Sequence, residues 1–280
     1  MASTLIRLAQ ADIDSLSVAA WRVTLASLIL APFALTLRRE EFRSFTRREW
    51  TLAIAAGLFL AIHFAAWISS LALTSVVASL ALVSTSPLFV GIIGYFFLGE
   101  RFSRSMVLGM LLAMVGSVAI GAGDAGGGTH HLLGDGLALL GGLAAAGYFT
   151  LGQRLRERLS LLGYVFPVYA TAAVVLMAVS LASYLFVEGG TLAGFGARLS
   201  GYAPVTWLWL LLLAIFPQII GHSSLNWALR HLPAAYISLS VLAEPVSSTL
   251  IAWVVLQESP TWSALLGGIL ILLGLFVAGR

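Results

Sequence analysis

The chain has 280 residues, of which 60% are hydrophobic and only 10% charged, with a formal net charge of +3. Its mean hydropathy is +0.99, whereas a water-soluble domain carries about 25% charged residues. Such a chain cannot cover its own surface with polar groups, which argues against a soluble enzyme, a nucleic-acid binder and a disordered protein; its solvent is lipid. Crossing a bilayer takes about 20 apolar residues in a helix. Nine such runs follow one another, at 16–37, 51–73, 76–98, 105–122, 136–153, 161–187, 207–229, 235–256 and 262–279. The breaks between them are short and polar, as hairpins between packed spans should be.

All 15 basic residues are arginine, and cysteine is absent. Disulfides, thiolate metal sites and cysteine nucleophiles are therefore excluded. Arg38, Arg39, Arg43, Arg47 and Arg48 follow the first run. Skipping one loop each time, the next are Arg101 and Arg104, then Arg154, Arg156 and Arg158, then Arg230, then Arg280. The alternate loops hold only Arg198. This asymmetry predicts a plasma (inner) membrane protein with a cytoplasmic C-terminus. The glycine-rich stretch 121–136 holds G-x-G-x-x-G at Gly121, Gly123 and Gly126. A nucleotide fingerprint needs a preceding strand, so the stretch reads as a linker; His130 and His131 could bind a metal, but two neighbouring exposed histidines are usually just solvated.

The chain also repeats itself. Pro87, Glu100, Gly109, Gly116 and Gly121 recur as Pro245, Glu258, Gly267, Gly274 and Gly279, each 158 residues on. Three glycine matches at one register have a chance on the order of one in a thousand. Gly109 and Gly116 share one helix face, as do Gly267 and Gly274, and small residues there let membrane helices approach closely. Glu100 and Glu258 stand at helix junctions, where a carboxylate can cap the helix that follows. Arginine sidedness puts the two copies in opposite orientations, so each needs an odd number of spans. Matching Thr4-Leu5 to Thr150-Leu151 sets residues 1–9 opposite the second half of the 136–153 run. The chain is then expected to begin inside its first helix, with apolar codons in frame upstream of Met1.

Pro87, Gly99-Glu100 and the downstream glycines, repeated as Glu244-Pro245, Gln257-Glu258 and their glycines, resemble the EamA-type transporters of the drug/metabolite transporter superfamily. Arg22 in the first apolar run fits the same resemblance. It implies an all-α membrane protein of ten helices, built as an inverted repeat of two five-helix units with most of the first helix missing here. The units are 1–122 and 136–280, joined by a linker at 123–135. The resemblance further implies export of small metabolites, often amino acids, by alternating access.

Several residues are candidates for a translocation cavity. Pro87 and Pro245 each remove an N–H and free the carbonyl four back, at Val83 and Val241. Broken backbone at membrane depth is tolerated where protein or water satisfies it, so these helices are expected to line a cavity. Glu244 is the one acid near the middle of a span and must be neutral, paired or water-facing. It can carry a coupling proton, contact a substrate ammonium, or bond a neighbouring helix. Tyr236, Ser240, Glu244 and Ser247 or Ser248 fall on one stripe. Gln218, His222 and Asn226 form a second and His63, Trp67 and Ser70 a third. Trp67, Tyr148, Trp227 and Tyr236 are candidates for an aromatic lining or for membrane packing. Arg22 can fork onto a substrate carboxylate or snorkel to the interface.

The expected partners are the bilayer, a small molecule and a coupling proton, without nucleic acid. No cofactor or metal is expected, since no spacing motif supports zinc at His63 and His222, and no G-x-x-x-x-G-K motif exists. A membrane-embedded enzyme is a second reading, but it needs convergent acids or a His–acid pair, and Asp12, Asp14, Asp124 and Asp135 fall in loops or at helix ends. A non-transporting receptor or assembly subunit is a third.

Overall fold

The computed structural model describes residues 2–122, 131–244, 246–247 and 261–280. Pro245, Ser248, Glu258 and His130, with Gly123 and Gly126 of the glycine motif, lie outside them. The described residues are helical and contain no strand. In chain order the helices are α1 (Ala2–Ala9), α2 (Ser15–Leu37), α3 (Arg39–Arg43), α4 (Arg47–Leu73), α5 (Val76–Val83), α6 (Ser86–Leu98) and α7 (Arg104–Ala122). Then come α8 (His131–Arg156), α9 (Leu161–Phe186), α10 (Leu192–Ser200), α11 (Pro204–Leu213), a π segment (Ala214–His222), α12 (Ser223–Ala228), α13 (Ala234–Ser240) and α14 (Trp262–Ala278). Among the described residues, six stretches are long and apolar enough to cross a bilayer, and two shorter apolar helices accompany them.

Polar residues set the helix starts. Asp14 accepts the Ser17 N–H at the head of α2. Thr46 and Glu49 form a reciprocal capping box on α4. Ser75, Ser160 and Thr191 cap α5, α9 and α10 in the same manner. α6 ends at Gly99, whose φ of 67° is the left-handed conformation glycine adopts without penalty.

Several expectations are corrected here. The 76–98 run is two helices, with a break at Ser84–Thr85. Pro87 is not a kink within a continuous helix: it stands in the first turn of α6, where its missing N–H is not needed. The second copy breaks at the matching place, with turns at Val241–Leu242 after α13. α8 starts at His131, so residues 131–135 are helical rather than linker. The cap of α7 is Ser103, whose Oγ accepts the Met106 N–H at 3.1 Å. Glu100 does not cap that helix; its side chain lies against Gly94 at the end of α6.

The main helix pairings cross between the two halves of the chain. α7 packs on α14, α4 on α8, α2 on α9 and α1 on α11. A Cβ at Gly116 would lie 2.5 Å from the Gly267 carbonyl oxygen, and one at Gly274 would lie 2.5 Å from that of Gly109. Gly109 therefore meets Gly274 while Gly116 meets Gly267, so α7 and α14 run antiparallel with their backbones in contact. The remaining apolar surface, including Phe96, Leu108 and Val174, is exposed as lipid-facing residues are.

Polar ties hold both ends of the bundle. At the arginine-rich end, Glu41 accepts from the Ser160 N–H and hydroxyl at 2.7 and 2.6 Å, and Arg158 pairs with Glu49 at 3.0 Å. At the other end Arg198 bridges Asp14 and Glu188 at 2.9 and 2.8 Å. Asp12 accepts from the Thr206 hydroxyl at 2.7 Å and the Ala203 N–H at 3.0 Å. These two bonds hold the Asp12 carboxyl below its ordinary value of 3.8. A depressed carboxyl stabilises the fold fully above its unfolded pKa, about 3.9, and loses that contribution as pH falls through the folded value. Asp12→Asn is therefore expected to melt earlier than the parent at neutral pH. The gap should close in acid; a gap independent of pH would show that the charge contributes nothing.

Candidate functional site

A cavity of about 570 Å³ lies between the helices. Both helix interruptions line it: Val83, Ser84 and Ser86 from the α5–α6 break, and Ser240, Val241, Ala243 and Glu244 from the break after α13. α4 contributes His63 and Trp67, and α8 contributes Tyr148 and Phe149. The π segment contributes Phe216, Pro217 and His222, and α2 a single residue, Arg22. The wall is mainly apolar, with polar groups at a few points, which is the usual make-up of a small-molecule site.

Arg22 is 1% exposed, so it does not snorkel to an interface. Its guanidinium carbon sits 4.2 Å from the centroid of the Phe64 ring. Its Nε donates to Gln218 Oε1 at 2.9 Å, and its buried Nη1 has no partner among the described residues. Glu244 lines the same cavity from the other half of the chain. No ion pair within 4.0 Å joins it to Arg22 among the described residues.

Two histidines share the wall. His63 Nδ1 lies 2.9 Å from the Gly141 carbonyl oxygen. That oxygen can only accept, so Nδ1 carries the proton and Nε2 is left as an acceptor. The His63 ring stacks on Trp67, with centroids 5.7 Å apart and planes 17° apart. The His222 ring centroid lies 6.3 Å from those of His63 and Tyr148 and 5.2 Å from that of Phe64. Three or more His, Cys, Asp or Glu residues grouped to hold a metal do not occur among the described residues.

The structure thus brings Arg22, His63, Trp67, Tyr148, His222, Ser240 and Glu244 to one cavity. Gln218 and Asn226 are fully buried behind its wall. Gln218 holds Arg22, while Asn226 Nδ2 donates to the Tyr148 hydroxyl and to the His222 carbonyl. Ser70 is also off the wall: its hydroxyl faces that of Ser79 at 2.5 Å and ties α4 to α5. Pro87 is buried in the first turn of α6, and Tyr236 is half-buried near Gly279. Neither lines the cavity. Trp227 is exposed and packs its ring against His231.

Sequence reasoning passed over the π segment and Pro217 at its centre. A π turn widens the helix and occurs often at functional sites; the proline inside the 207–229 run was its one visible sign. Ser84 and Ser86, beside Pro87, were likewise legible as polar neighbours of a break. Tyr169, whose hydroxyl donates to the Gln218 carbonyl at 3.3 Å and lies 3.2 Å from Ser223 Oγ, carried no sequence signal.

The model of the EamA-like transporter family matches residues 1–122 and 132–280. The chain belongs to the EamA-like transporter family. A relative from Archaeoglobus fulgidus, named an uncharacterized transporter, is 26% identical over 282 residues, covering all of this chain and 94% of that protein. The Bacillus subtilis protein YetK bears the same description and is 27% identical over 202 residues, covering 70% of this chain and 57% of that one. A solved crystal structure superposes with a TM-score of 0.73 at 20% identity, covering 99% of this chain and 93% of the other. That likeness shows a shared all-α fold. The family and the names of the relatives point to a transporter rather than an enzyme.

Proposed function

We propose that this EamA-family chain is a secondary transporter of the plasma membrane that exports small amphipathic metabolites, amino acids among them, by alternating access. One observation carries the reading: a single cavity is lined by helix interruptions from both halves of the chain and holds Arg22 from one half and Glu244 from the other. Discontinuous helices around a site shared by two repeats are how secondary transporters build a binding site. The antiparallel meeting of Gly109 with Gly274 and of Gly116 with Gly267 supports an inverted arrangement of residues 1–122 and 136–280. In this reading the halves rock about the cavity, which opens to each side in turn. Glu244 carries the coupling proton, and the arginine-rich end faces the cytoplasm.

Two measurements test this. Cells overproducing the protein are expected to resist a panel of toxic amino acids and to lose preloaded substrate faster than control cells. Reconstituted vesicles should show saturable flux of the same compounds. Faster accumulation in the cells would overturn export. Ligand binding without flux in vesicles would overturn transport itself and favour a receptor.

A further inference from the structure

The Arg22 guanidinium is poorly satisfied for so buried a charge. It carries five N–H donors; among the described residues, Nε alone has a hydrogen-bond acceptor, the neutral amide oxygen of Gln218. The Phe64 face beneath it accepts no proton in the plane of the fork. Gln218 is 0% exposed, and its own Nε2 has no partner among the described residues. Leaving a charge buried and unpaired is strongly destabilising, yet the fold keeps Arg22 at the wall of an open cavity. The acid sharing that cavity, Glu244, does not pair with it. A planar carboxylate matches the free fork, because two parallel N–H···O bonds are the geometry guanidinium prefers.

We propose that Arg22 is the anion-recognition point of the cavity, that its ligand class is small carboxylates with an apolar body, and that Gln218, bonded to Nε, holds the guanidinium so that its free Nη edge meets the carboxylate. This rests on the transporter reading above and narrows its substrates. The aromatic and aliphatic wall formed by Trp67, Phe149, Phe216 and Leu225 takes the apolar body. Gln218 sits within the π segment, so its bond to Nε ties α2 to the second half of the chain.

The test uses three molecules with nearly the same apolar body: leucine, 4-methylpentanoate, which lacks the ammonium, and 3-methylbutylamine, which lacks the carboxylate. Binding to the purified full chain is read from Trp67 fluorescence, with a Trp67→Phe control to assign the signal. Leucine and 4-methylpentanoate are expected to bind, and the amine to bind at least about tenfold more weakly. Gln218→Glu installs a permanent carboxylate beside the fork and should weaken both acids by about tenfold or more while the protein stays folded. Arg22→Lys keeps the charge but loses the fork, and is expected to weaken the acids too. It decides the matter should Arg22→Gln, which is expected to abolish acid binding, fail to fold. Equal binding of the amine, or acid binding unchanged in Gln218→Glu, would overturn the anion site. The two readings fail separately in vesicles. Flux of the amine as fast as the acids overturns the anion site and leaves transport standing. Acids that bind without flux overturn transport and leave the anion site.

Discussion

Gly116→Leu is expected to leave little folded protein in detergent, with the remainder melting far below the parent. α7 and α14 touch through backbone at this point: the added Cβ alone would lie 2.5 Å from the Gly267 carbonyl oxygen and 2.9 Å from Ile271 atoms. Those atoms are backbone or sit close to it, so no flexible side chain can give way. Overpacking a well-fitted core costs about 1–3 kcal/mol, and here the helix itself must move, so the cost belongs at or above the top of that range. In lipid no hydrophobic drive presses the helices together; close packing supplies the association. Separating the backbones therefore removes the interaction instead of weakening it. Gly116→Ala should be milder but still destabilising. The measurement is the thermal unfolding of monodisperse protein. A Gly116→Leu variant that melts with the parent would mean that α7 and α14 do not meet at these glycines.

Glu244→Gln is expected to uncouple transport from the proton gradient. The amide keeps the shape and the hydrogen-bonding capacity of the acid but cannot gain or lose a proton. Vesicles carrying the variant should still exchange labelled substrate for unlabelled substrate across the membrane. Uphill accumulation driven by a pH gradient should fall to the equilibrium level, a loss of about tenfold or more in the concentration ratio. Uphill accumulation that survives the substitution would remove Glu244 from the coupling step. Loss of exchange as well would assign it to substrate contact.

The large features of this fold were legible because they rest on composition and on repetition. Lipid as solvent, the order of the apolar runs and the glycine pairs followed from the residues themselves. The packing of Gly109 against Gly274 and Gly116 against Gly267 is the physical meaning of a register that the sequence displays openly. Finer features depended on which of several equivalent positions the backbone selects. Pro87 announced a disturbance, but the α5 helix ends at Val83, and the proline starts the next helix instead of bending one. Glu100 looked like a cap, whereas a cap must sit one residue before the first helical turn, which Ser103 does.

The stripe of Gln218, His222 and Asn226 assumed the spacing of an α-helix. Residues 214–222 are wound as a π segment, and of the three only His222 reaches the cavity. Gln218 and Asn226 hold Arg22 and Tyr148 from behind. Arg22 itself was visible but undecided, because burial depends on the helices around it. Its 1% exposure needed the packed bundle.

The pairing of helices across the two halves has a consequence for how the chain is made. α7 and α4 leave the ribosome well before α14 and α8, their partners in the finished bundle. The glycine face of α7 must therefore face lipid, or be shielded by another protein, until the second half is inserted. Halves expressed separately should be short-lived, and halves expressed together should rescue each other.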